Sequence, residues 1–146
     1  MAQGVFQVYR AAMLALMQGG VNLATVPLKA MLVGPSYTPD LDGHDALADI
    51  TGEVSATGGY ARAALTGQTV TPITRGVALG AATIDFGADL TITGAKRLVI
   101  FIDSATLADK PPLAVMDLET DAPAGLSVTA GSFRVQLPAA IFTLGV

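Results

Sequence analysis

The sequence predicts a mainly β protein, an antiparallel β-sandwich with one short N-terminal α-helix. Three observations lead there. Short apolar stretches recur, each closed by glycine or proline, at a spacing of about ten residues that suits sandwiches and barrels. Helical periodicity occurs once, near the N-terminus. One run of strand length, Leu98-Val99-Ile100-Phe101-Ile102, is apolar without alternation, which predicts a central strand buried on both faces. Eight or so strands of this kind also suit a jelly-roll arrangement. With 146 residues the chain reads as one domain, residues 1–146, with the helix in 1–20 and the sandwich in 21–146.

The helix is expected over residues 4–18. Val5, Val8, Tyr9, Ala12 and Leu16 share one face, and Phe6, Met13 and Met17 form a second stripe beside it. Gly19-Gly20 supplies a left-handed stop. A helix apolar over so much of its circumference calls for cover on more than one side. Residues 28–33 then read as a strand, with Leu28, Ala30 and Leu32 on one face and Lys29, Met31 and Val33 on the other. Pro35 and Pro39 end it in a loop.

Further strands are expected at residues 60–66 and 68–73, the latter cut by Pro72, then within 76–86 and at 90–93. The central strand follows at 97–103. The last third repeats the rhythm at 113–118, 126–129, 132–137 and 141–144. In residues 132–137, Phe133, Val135 and Leu137 point inward, and Arg134 and Gln136 outward.

Composition bounds the function. Half the residues (51%) are hydrophobic and 14% are charged, against about a quarter charged in a typical soluble domain. Such a chain is short of solvated surface, and burial against neighbours would relieve that. No apolar run approaches the ~20 residues of a spanning helix, and no export signal is evident, so no membrane role is expected. The net charge of −4 and the scatter of eight basic residues argue against nucleic-acid binding. Without cysteine there are neither disulfides nor thiolate metal sites.

The residues with chemical potential gather in the loop after the first strand, where Asp40, Asp42, Asp45 and Asp49 surround His44, the only histidine. An EF-hand register starting at Asp40 fails, since its fifth, sixth and twelfth positions are His44, Asp45 and Thr51. These acids read as turn caps in a solvated loop, and His44 as a packing or hydrogen-bonding residue. No G-x-S-x-G occurs, Gly76 to Gly80 lacks the spacing of a dinucleotide loop, and no lysine stands in a Walker-like position. The expectation is no catalytic residue, no cofactor and no metal.

The order Leu28-Lys29-Ala30-Met31-Leu32-Val33, Tyr37-Thr38-Pro39-Asp40, His44, Asp49-Ile50, Glu53-Val54 and Gly59-Tyr60 resembles the opening of a family of small virion structural proteins of tailed double-stranded DNA bacteriophages. Pro112-Leu113-Ala114 ahead of Asp117, and Gly131-Ser132-Phe133, are similar to that family's later landmarks, while residues 76–103 depart most from its pattern. The resemblance implies a non-enzymatic capsid decoration or cement subunit, made in the host cytoplasm and carried on the capsid exterior. Its implied partners are the major capsid protein and copies of itself, as a dimer or trimer. A tail, baseplate or fibre subunit, with a host-surface binding role, is the alternative. On the capsid reading Phe6, Tyr9, Met13 and Tyr37 are the expected interface anchors, because aromatic and methionine side chains are enriched at interface cores.

Overall fold

The structure, a computed structural model, describes residues 3–145. It is mainly β, antiparallel throughout its ladders, with one short α-helix. The strands are β1 (Gln7–Val8), β2 (Leu28–Val33), β3 (Ala63–Ala64), β4 (Thr69–Ile73), β5 (Gly76–Gly80), β6 (Ile84–Asp85), β7 (Leu90–Ala95), β8 (Arg97–Ile102), β9 (Pro112–Asp117), β10 (Leu126–Gly131), β11 (Arg134–Val135) and β12 (Phe142–Gly145). The helix α1 spans Arg10–Met17.

The largest sheet has the order β1-β9-β8-β2-β3, so the uninterrupted apolar strand lies at its centre. Strand β8 pairs with β2 from Leu28↔Ile102 to Val33↔Arg97, and with β9 on its other side. The β8–β9 register slips at Leu113, a bulge between Ile100↔Ala114 and Phe101↔Pro112. Three smaller ladders complete the fold: β10-β7, β11-β6 and β12-β5-β4. The main core lies between the large sheet and these ladders. Leu28, Ala30, Leu32, Leu98, Ile100 and Ile102 meet Leu79, Ile84, Ile92, Val135 and Phe142 there, in a layered sandwich. A jelly-roll strand order is not evident in these pairings.

The opposite face of the large sheet is not solvated. Met31, Val33, Val99, Phe101 and Val115 form a second core, covered by Tyr9, Tyr37 and Ile50, with Leu41 and Leu47 packed alongside. The segment between β2 and β3 therefore serves as a cover for the sheet, and its acids do the local folding. Asp40 accepts the backbone N–H groups of Asp42 and Gly43, and Asp49 those of Asp45 and Ala46. These hydrogen bonds hold both carboxyls below their usual range. They are the turn caps expected from the sequence.

The N-terminal segment departs from expectation. Residues 4–9 are not helical: Gly4 donates to the Asp117 carbonyl, and β1 adds an edge to β9 through Gln7↔Val115 and Val8↔Ala114. The edge of β9 would otherwise present unpaired backbone groups, and that pairing overrides a helical pattern containing two β-branched residues. The helix starts after Tyr9, which is extended at φ −77°, ψ 142°. It stops where expected. Gly19, at φ +75°, donates to Leu16 and Gly20 donates to Ala15, a Schellman closure. The expected strand over 60–66 shrinks to β3, and that over 132–137 to β11. Pro72 sits within β4 rather than ending it, and tolerates that position because β4 is a sheet edge.

Candidate functional site

Two features stand out, a buried polar chain under the cover segment and an apolar outer surface. The polar chain begins at Tyr9, whose hydroxyl lies 2.6 Å from that of Tyr37, which in turn lies 2.9 Å from His44 Nδ1. The Asp40 N–H also donates to Nδ1, at 3.3 Å, so this nitrogen is an acceptor. Tyr37 therefore donates to His44, Tyr9 donates to Tyr37, and the imidazole proton sits on Nε2. The Tyr37 and His44 rings stack at 5.5 Å, and the Tyr37 carbonyl accepts from Arg97 Nη1 at 2.7 Å. Arg97 itself pairs across the sheet with Asp117 at 2.9 Å. Burial raises the pKa of both tyrosines, and Tyr9 goes higher still because it donates to Tyr37. The arrangement is a closed set of hydrogen bonds that fastens the cover segment to the sheet.

A second fastening lies beside it. Glu53 takes a bidentate contact from Arg62, at 2.8 and 2.9 Å, and the Tyr60 hydroxyl at 2.8 Å. Tyr60 oxygen accepts the Leu32 N–H at 3.0 Å, and the Arg62 guanidinium lies 5.4 Å from the centre of the Phe101 ring. Burial alone would raise the Glu53 pKa, but the Arg62 and Tyr60 hydrogen bonds outweigh it and hold the carboxyl below its usual value. Asp103 bridges Lys110 and Lys29 at 2.8 and 3.0 Å, and its pKa is lowered by both.

Among the described residues, ion pairs engage six of the eight basic residues, and the surface keeps large apolar side chains. Met17 is 87% exposed, Val5 82% and Leu14 55%, and Val70, Ile73, Val77 and Leu144 are also exposed. Val70, Val77 and Leu144 line an open groove of about 410 Å³ with Leu16, Val21 and Leu23, where the end of α1 meets the β12-β5-β4 sheet. A second cleft, of about 320 Å³, runs along the other side of α1 against residues 106–111.

The expected anchors divide. Met13 is exposed on α1. Phe6 is half-buried against the main core. Tyr9 and Tyr37, at 0% and 1% exposure, are core residues and reach no partner while the chain is folded, which corrects the expectation for both. Their hydroxyls find each other inside, so they fill the second core without an unmet polar group. Val5, Leu14 and Met17, three of the most exposed apolar side chains, are not among the expected anchors, because a helical pattern over residues 4–18 does not mark which part of it faces out. No group of three or more His, Asp or Glu residues that could hold a metal occurs among the described residues. No helix among them is long and apolar enough to cross a membrane. No protein-family model, curated protein or solved structure matches this chain.

Proposed function

We propose that this chain is a non-enzymatic structural subunit of a tailed double-stranded DNA phage virion, a decoration or cement protein that binds the shell of major capsid protein from outside. The observation that carries the reading is the exposed apolar set of Val5, Met13, Leu14, Met17, Val70, Ile73, Val77 and Leu144 on a chain with few charges, six of whose eight basic residues are in ion pairs. Val70, Val77 and Leu144 share one groove, and contiguous exposed apolar surface marks sites that bury themselves against other molecules. The family resemblance supplies the virion, and the net charge of −4 favours the outside of a shell over the DNA side.

The test uses shells stripped of this chain. Purified protein added back should pellet with them saturably. The pair Val5→Lys and Met17→Lys changes only surface side chains, so the unfolding free energy should stay within about 0.5 kcal/mol of wild type while pelleting is lost. A wild-type chain that stays in the supernatant, or a double variant that pellets as well as wild type, would contradict the proposal.

A further inference from the structure

Of the eight basic residues, Arg75 alone has no hydrogen bond or ion pair to another described residue. It stands at the tip of the β4–β5 hairpin, at φ +61°, between Ile73↔Gly76 and open solvent. The flanks of this tip are apolar: Val70, Ile73 and Val77 are all exposed. A cation rimmed by exposed apolar side chains on a projecting hairpin is a complete contact half without its other half.

The same chain carries a matching surface elsewhere. The cleft of about 320 Å³ beside α1 has Leu14, Leu107 and Pro111 on its walls and Asp42, Asp45 and Asp109 around it. None of these three carboxylates is in an ion pair with a described basic side chain. Arg10 also lines the cleft, but its guanidinium is engaged by the Asp42 carbonyl at 2.6 Å, and the acids outnumber it. The cleft therefore keeps a net negative charge next to an apolar wall, at the small end of the size range of binding pockets, suited to a side chain rather than a domain.

We propose that copies of this chain join through these two surfaces. The hairpin tip of one copy seats in the α1 cleft of another, with the Arg75 guanidinium among the carboxylates of Asp42, Asp45 and Asp109, and Ile73 and Val77 against Leu14 and Leu107. Arginine suits the task because its planar fork contacts carboxylates bidentately while its weakly hydrated face packs on apolar groups. Each copy carries both halves, so the contact can repeat from copy to copy: as a reciprocal dimer or a ring where the rotation closes, and as a filament where it does not. The inference rests on reading the chain as an assembly subunit, and it adds that the first partner is a second copy.

Sedimentation velocity of the full chain tests it with two variants, Arg75→Glu, which spoils the tip, and Asp42→Arg with Asp109→Arg, which spoils the cleft. Both leave the core untouched, and Glu inherits the same backbone conformation as Arg at position 75. Wild type should sediment as an oligomer. Each variant alone should associate about tenfold or more weakly. An equimolar mixture of the two should associate again, since each tip then meets a cleft of opposite charge. A monomeric wild type, an Arg75→Glu variant of unchanged mass, or a mixture that stays dissociated would each overturn the proposal. Solution mass decides this contact and copy number in virions decides the virion reading, so the two fail separately.

Discussion

Among single residues, the hydroxyls of Tyr9 and Tyr37 are not equivalent, and the asymmetry is measurable. In Tyr9→Phe, Tyr37 keeps its bond to His44, so one hydrogen bond is lost, at about 1 kcal/mol. In Tyr37→Phe, the Tyr9 hydroxyl stays buried with its partner gone, which raises the cost to about 2–3 kcal/mol. Urea denaturation of both single variants and the double variant checks the order; equal single costs would contradict the central place of Tyr37 between Tyr9 and His44. The pH profile follows from the same groups. Glu53 and Asp103 have folded pKa values below the ordinary 4.5 and 3.8, so their stabilisation is present above those values and is lost as pH falls through the folded ones. Tyr9 and Tyr60, raised by burial above the ordinary 10.0, hold their protons more tightly when folded, and stability falls as pH rises past that value. The urea midpoint should fall on the acid side below about pH 4 and on the alkaline side above about pH 10. A midpoint unchanged down to about pH 3 would contradict these pairings. Little of this was legible in the sequence. Aromatic residues in a loop and near a chain end look like surface anchors, and only the second apolar face of β2, with Met31 and Val33, hinted that something must cover it.

Among elements, the strands declared themselves in proportion to their burial. The alternation of residues 28–33 and the unbroken run 98–102 placed β2 and β8, because a strand with one or two buried faces must write its period into its side chains. Short strands carry no such obligation. β3, β6 and β11 are two residues each, held by what flanks them, and their boundaries could not be read. The first turn of the expected helix failed for the same reason. Val5, Phe6 and Val8 satisfy helical and strand spacing alike, and the free edge of β9, far away in sequence, decided between them. Gly58 offers a test of element packing. A β-carbon there would collide with the Thr91 carbonyl oxygen of β7, so the turn carrying Gly58 lies directly on that strand. Gly58→Ala should destabilise by about 1–3 kcal/mol. An unchanged unfolding midpoint would show that the turn stands off the strand.

Across the whole molecule, a few polar groups are buried within the apolar core and a few large apolar side chains stand outside it. Lys96, Glu119, Tyr9 and Tyr37 lie inside, and Lys96 is held by the carbonyls of Glu119 and Ala122. Val5, Leu14 and Met17 lie outside. The low share of charged residues, visible in the composition, foretold the exposed apolar surface but not its position. For the proposed virion subunit, the inner polar network keeps the sheet and its cover in one shape, and the outer apolar set supplies contact. The most direct test of that role is quantitative mass spectrometry of purified virions separated into DNA-filled heads and detached tails. A capsid decoration subunit travels with the heads, in numbers on the scale of the capsomers; absence from virions, or a few copies confined to tails, would contradict that role.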